Sequence, residues 1–121
     1  MPFIEITGDD RVDSVRTQIC AGLTTSLAQA FDISPEIVTV YFHTVATRDY
    51  GHAGELAPPA AIRNFLKVHA FPRELAMKRR AASSMTEAFV EATGIEPKNV
   101  VIYFFDRDPQ DVAHGGILAC D

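Results

Sequence analysis

Pro2 follows Met1, and a proline at that position has a chemistry that an internal proline lacks. Inside a chain the prolyl nitrogen is an amide, without a proton to give or basicity to take one. Once Met1 is removed, the same nitrogen is a secondary α-amine. Such groups titrate near ~7.7–8.0, and desolvation or a neighbouring cation lowers them toward neutrality. Pro2 is therefore a candidate general base. Other chemistries find less support. Cys20 lies among the apolar positions of an expected helix and Cys120 is the penultimate residue, which is neither a disulfide framework nor metal-ligand spacing. Both are expected to be reduced bystanders, and no metal or cofactor is expected. A formal net charge of −5 argues against nucleic acid, because phosphate binding requires a basic face.

The elements that must position Pro2 come from a chain of 121 residues that is 47% hydrophobic and 22% charged. That is one soluble domain with a modest core. No apolar run approaches the ~18 residues of a membrane span, and the N-terminus lacks the layout of a signal peptide, so a cytoplasmic protein is expected. The chain repeats itself at an offset of 62 residues, with pseudo-repeats 2–59 and 64–121. Ile33-Ser34-Pro35 matches Ile95-Glu96-Pro97, Val38…Tyr41-Phe42 matches Val100…Tyr103-Phe104, and His52-Ala53-Gly54 matches His114-Gly115-Gly116. Arg11 pairs with Arg73, while Asn64 stands where the first copy has Pro2.

Within the first copy, period-two alternation from Pro2 to Thr7 predicts a strand that ends at Gly8-Asp9-Asp10. Val12, Val15, Ile19, Leu23, Leu27 and Ala30 predict an amphipathic helix from about Asp13 to Phe31, capped by Asp13 or Ser14. Ile37 to His43 is the second strand, and Asp49 to Gly54 suits a tight hairpin. The second copy predicts a strand over Ile62–His69 and a helix over Arg73–Thr93, with Pro72 in its first turn and Gly94 as its C-cap. Its last strand is Val100–Phe105. Six consecutive apolar residues there require both faces of the strand to be covered, yet two helices cover only one. An obligate oligomer follows.

The start Pro2-Phe3-Ile4-Glu5-Ile6, Asp10-Arg11 after the strand, and Tyr50-Gly51-His52-Ala53-Gly54-Glu55-Leu56-Ala57 resemble one subunit of 4-oxalocrotonate tautomerase. The duplicated arrangement resembles the longer members of the tautomerase superfamily, among them cis-3-chloroacrylic acid dehalogenase, malonate semialdehyde decarboxylase and macrophage migration inhibitory factor. The resemblance implies an α/β (α+β) fold made of a tandem β-α-β repeat: a four-stranded mixed sheet with two helices on one face, and three chains forming a homotrimer. It implies Pro2 as the catalytic amine and Arg73 as a carboxylate-binding residue, since a planar guanidinium matches a carboxylate bidentately. Arg11 matches a further substrate-binding arginine. Tyr103 aligns with a catalytic tyrosine whose hydroxyl donates a hydrogen bond, and Tyr50 aligns with an aromatic wall residue. A glutamate near the chain end of the dehalogenase is His114 here, which joins the candidate substrate-binding set.

Other family positions are occupied differently: Thr39, Ala70, Ala28 and Ile37 stand where various members have arginine, arginine, histidine and an acid. Water activation therefore has the least support. The expected activity is tautomerisation of a small 2-keto acid or its enol, of the phenylpyruvate or 2-hydroxymuconate kind, with Phe3, Phe105 and Tyr50 desolvating the amine. The alternatives are decarboxylation, hydration or dehalogenation of a three-carbon acid, or a catalytically silent trimeric binding protein if Met1 is retained.

Overall fold

The computed structural model describes the whole chain, Met1–Asp121. Each half runs strand, helix, strand, short hairpin. In the first these are β1 (Phe3–Asp9), α1 (Arg16–Phe31), β2 (Thr39–Val45) and the hairpin β3 (Gly51–His52) with β4 (Glu55–Leu56). In the second they are β5 (Asn64–Ala70), α2 (Leu75–Thr93), β6 (Val100–Asp106) and the hairpin β7 (Ala113–His114) with β8 (Ile117–Leu118). The main sheet has the order β2-β1-β5-β6. Each half pairs its own two long strands in parallel, and β1 joins β5 antiparallel with Phe3 opposite His69 and Thr7 opposite Phe65. No helix is long and apolar enough to cross a membrane.

Strand alternation divides the sheet's side chains. Ile4 and Ile6 of β1 and Leu66 and Val68 of β5 are buried against Ile19, Leu23 and Leu27 of α1 and Ala81, Met85 and Phe89 of α2. Burying each of the larger side chains contributes about 1.5–3 kcal/mol, and this cluster holds both helices on one face. Val100, Ile102 and Phe104 of β6 add to it. The opposite face carries Phe3, Tyr41, Phe65, Val101, Tyr103 and Phe105, and no helix lies over it; Tyr41 and Tyr103 are each 53% exposed.

Several boundaries differ from the sequence expectation for identifiable reasons. β1 continues through Gly8 and Asp9, because both pair with β2. The first helix starts late: a 3-10 turn covers Asp10–Val15, and its cap is Asp9, which accepts the backbone N–H of Arg11. Neither Asp13 nor Ser14 caps α1. Asp13 instead accepts from Arg16 and from the Thr44 hydroxyl. Leu75 begins α2, so Pro72 precedes the helix rather than occupying its first turn. Gly94 does end it, at φ 73°. Both hairpins turn on two residues with positive φ, Ala53-Gly54 and Gly115-Gly116, the pairing that matches the twist of the flanking strands.

Gly8 is fixed by a contact across the sheet. A Cβ at this position would collide with the side-chain carbonyl of Asn64, which is fully buried. Gly8→Ala is expected to destabilise the fold by about 1–3 kcal/mol through overpacking. Urea denaturation of Gly8→Ala, Asn64→Ala and the double variant checks this: the two costs should sum to more than the double variant's.

Candidate active site

β1 separates the candidate residues into two groups. Seven strand residues at ~3.3 Å each put its ends about 20 Å apart, with Pro2 at one end and Asp9 and Arg11 at the other.

At the Pro2 end, Pro2 itself is buried, and its carbonyl accepts the backbone N–H of Thr39 at 3.3 Å. The antiparallel register places Pro2 one residue beyond the Phe3–His69 pair, level with Ala70. Three residues later Arg73 folds back. Its Nη1 donates to the carbonyls of Phe71 (2.8 Å) and Pro72 (3.2 Å), and its guanidinium carbon lies 5.0 Å from the centre of the Phe31 ring. No carboxylate lies within ion-pair distance of Arg73, whereas Arg11, Arg16, Arg48, Lys78 and Lys98 all have one. Its charge is uncompensated, and backbone carbonyls and an aromatic face hold its orientation.

The other end holds a cleft of about 880 Å³, lined among others by Asp9, Arg11, Tyr50, His52, Arg63 and Lys98. The repeat mates of Pro2 and Arg73 are both here, and both are spoken for. Asn64 accepts the backbone N–H of Asp9 (3.1 Å) and donates to the carbonyl of Ile62 (3.2 Å). Arg11 makes an ion pair and a side-chain hydrogen bond with the Asp9 carboxylate. Tyr50 accepts from the backbone N–H of Arg63 at 3.2 Å and stacks parallel to His52. The cleft thus retains an arginine, but an internal carboxylate already occupies it.

Asp9 is 1% exposed. Burial pushes its pKa up, but hydrogen bonds from the Arg11 side chain and backbone, with Arg11's charge, outweigh that and hold it below the ordinary carboxylate value. A folded pKa below the unfolded one stabilises the fold above the unfolded pKa of ~3.9, and the contribution fades as pH falls through the lower folded value. Asp9→Asn is expected to cost about 1–2 kcal/mol at pH 7, the range of a lost cap. Denaturation curves at pH 7 and pH 3 should show the gap between wild type and variant narrowing in acid.

Tyr103 stands on the open face of edge strand β6, stacked on Phe65 with ring centres 5.9 Å apart. His114 lies on the exposed second hairpin. Within one chain the structure brings Pro2 to the same end as Arg73, and Arg11 into one cleft with Tyr50, but it does not unite the six residues. Of the three aromatics expected to shield Pro2, Phe3 and Phe105 lie at its end, on either side of the His69 ring at 4.3 and 4.6 Å. Tyr50 is at the opposite end. Sequence reasoning passed over His69, Glu5 and Arg107, which form a hydrogen-bonded line beside Phe3. Alternation places Glu5 on the face of Phe3 and His69 on the face of Phe65; the strand register that unites them has no local signal.

No protein-family model matches the sequence, and no curated protein matches it. Solved structures do. A fused 4-OT solved as a symmetric trimer has a TM-score of 0.86 and 18% identity over 98% of this chain and 96% of its own. Pt0534 inactivated by 2-oxo-3-pentynoate has a TM-score of 0.87, again at 18% identity over 98% and 96%. Malonate semialdehyde decarboxylase has a TM-score of 0.77 and 16% identity, over 97% of this chain and 93% of its own. The chain therefore has the fused 4-OT fold, a mixed four-stranded sheet with two helices on one face, along nearly its whole length.

Proposed function

We propose that the protein is a cofactor-independent tautomerase that moves a proton α to the carbonyl of a small 2-oxo acid or its enol. In this mechanism Met1 is removed, the Pro2 amine takes a proton from the enol hydroxyl or the α-carbon, and the same amine returns it at another carbon. Arg73 holds the substrate carboxylate. The observation that carries the proposal is the contrast between the two repeat-related arginines: Arg11 is neutralised by Asp9, while Arg73, at the end of the sheet where the amine would lie, is held in place without an acid. Holding the carboxylate there costs little reorganisation, because the guanidinium is already oriented.

Fused 4-OT forms trimers, and the open apolar face of this sheet supports the same assembly here. In a homotrimer, Arg11, Tyr50, Tyr103 and His114 reach a Pro2 site from a neighbouring subunit, where the Tyr103 hydroxyl donates to a substrate oxygen. Such an enzyme would work in the cytoplasm on a carboxylate-bearing keto or enol substrate, without nucleic acid or membrane partners. Decarboxylation or hydration, as in the structurally similar malonate semialdehyde decarboxylase, is the second reading. It has less support because Ile37 stands where the decarboxylase pattern has an acid, although Glu36 is next to it in sequence.

Steady-state ketonisation of phenylpyruvate enol tests the proposal. Arg73→Gln is expected to lower kcat/KM about 10- to 100-fold, the range of a lost charge-assisted contact. Turnover of malonate semialdehyde or cis-3-chloroacrylate in place of the enol would instead favour the second reading.

A further inference from the structure

Duplication leaves the central strands with two comparable ends, and the Asp9 end lacks the amine that the mechanism needs. Asn64 stands there in the place that Pro2 takes in the first copy. Its nitrogen is a peptide nitrogen, because Arg63 precedes it, and both groups of its side-chain amide are engaged, one by Asp9 and one by Ile62. The cleft at this end is nevertheless open. Its volume of about 880 Å³ falls within the ~300–1,000 Å³ of small-molecule sites.

The lining combines an apolar wall with a surplus of positive charge. Val12, Val15, Ile62 and Ile95 supply the wall, while Arg11, Arg63 and Lys98 stand against only two acids, Asp9 and Glu96. Both acids are already paired, Asp9 with Arg11 and Glu96 with Lys98 at 3.4 Å. Arg63 is the cation left over: it has no carboxylate within ion-pair distance, and its guanidinium donates to no group of the chain. In a protein of net charge −5 this surplus is local, and it favours anions at this cleft. The stem of Arg63 is anchored as well. Its backbone N–H donates to the Tyr50 hydroxyl at 3.2 Å, and its neighbours Ile62 and Asn64 are 3% and 0% exposed. Only the side chain remains to be ordered when an anion binds, which keeps the entropic cost small. The apolar wall and the free guanidinium belong to the chain itself, whichever way the proposed trimer turns Arg11 and Tyr50.

We propose that this cleft is a second, non-catalytic binding site for a small organic anion with an apolar body, an aryl or alkyl carboxylate. The anion's charge pairs with Arg63, whose planar fork matches a carboxylate, and its body lies against Val12, Val15, Ile62 and Ile95. Binding without turnover follows from Asn64, which has no amine to carry a proton. The site is independent of the tautomerase reading: it would hold its ligand whether or not Pro2 is catalytic.

Titration of the isotope-labelled full-length protein with benzoate, followed by its backbone amide NMR signals, separates this cleft from the Pro2 end in one experiment. Benzoate is expected to move the signals of Arg63, Gly94, Ile95 and Asn99 saturably below about 10 mM, whatever it does to those of Phe3, Thr39 and Phe71. Benzamide keeps the ring without the charge, and acetate keeps the charge without the ring. Each is expected to bind the cleft at least ~10-fold more weakly than benzoate. Arg63→Gln is expected to raise the benzoate Kd read at Gly94 and Asn99 about 10-fold or more, while any Kd read at Phe3 and Thr39 stays within about twofold. Cleft signals that do not respond, that respond equally to benzoate and to either control, or that titrate in Arg63→Gln as in the wild type overturn the proposal. The comparison of the three ligands on the wild type decides the matter even if the variant does not fold. A wild type without tautomerase activity would sink the proposed reaction and leave these shifts, which read binding alone, as they are.

Discussion

A chain that keeps Met1, or carries any extension ahead of Pro2, is expected to turn over enol substrates about 10²- to 10⁴-fold more slowly than the processed chain, the usual contribution of a general base. The comparison isolates one atom. Both forms contain Pro2, both fold alike because Met1 projects into solvent at 62% exposure, and they differ only in whether the prolyl nitrogen is an amide or an amine. Only the amine can accept a proton. Intact-mass measurement identifies which form is present, and assays of both forms on phenylpyruvate enol give the ratio. A second readout follows from nucleophilicity: 2-oxo-3-pentynoate, which inactivates the structurally similar Pt0534, should add to the free Pro2 amine: a bond forms from its nitrogen to the alkyne carbon remote from the carbonyl, one alkyne π bond breaks, and the amine's proton passes to the carbon beside the carbonyl, with no leaving group. The mass rises by the whole reagent in the processed chain and not in the extended one. Equal turnover by both forms would remove Pro2 from the mechanism and leave the catalytically silent trimer as the better account.

How much of this was legible in the sequence depends on the range over which each feature is determined. The long strands and the Gly94 cap follow from alternation and backbone freedom, which act over a few residues. The start of α1 does not, because the Asp9 carboxylate captures the Arg11 backbone and draws six residues into a 3-10 turn. That turn competes locally with the helix that Val12 and Val15 would otherwise extend. The repeat made Arg11 and Arg73 look equivalent. What separates them is that Asp9 of the first copy is replaced by Phe71 in the second, a difference whose meaning emerges only when the side chains are placed. The Glu5–His69–Arg107 line lay further out of reach: it depends on the antiparallel register of β1 and β5 and on where the chain goes after β6, both fixed by packing of distant elements.

Adding an unpaired charge to the open sheet face, where Glu5 and Lys67 already stand opposite each other, is expected to dissolve the assembly. Phe65 of β5 pairs with Thr7 across the central strands and stacks on Tyr103, and it points away from the helices, so Phe65→Glu leaves the core cluster intact. The same face carries Phe3, Tyr41, Val101, Tyr103 and Phe105, and each large apolar side chain left in water forgoes about 1.5–3 kcal/mol. Together these losses are comparable to a typical domain stability of ~5–15 kcal/mol, which is the drive for a neighbouring subunit to cover the face. A buried, unpaired carboxylate costs several kcal/mol per site, and in a closed ring of three each chain brings its own. Native mass spectrometry at micromolar concentration should find the wild type at three times 13.3 kDa and Phe65→Glu as folded monomer. Circular dichroism of the variant should keep its helical signal while turnover falls, because in the proposed trimer a neighbouring chain completes the Pro2 site. A soluble wild-type monomer with full activity would overturn both the assembly and the shared site.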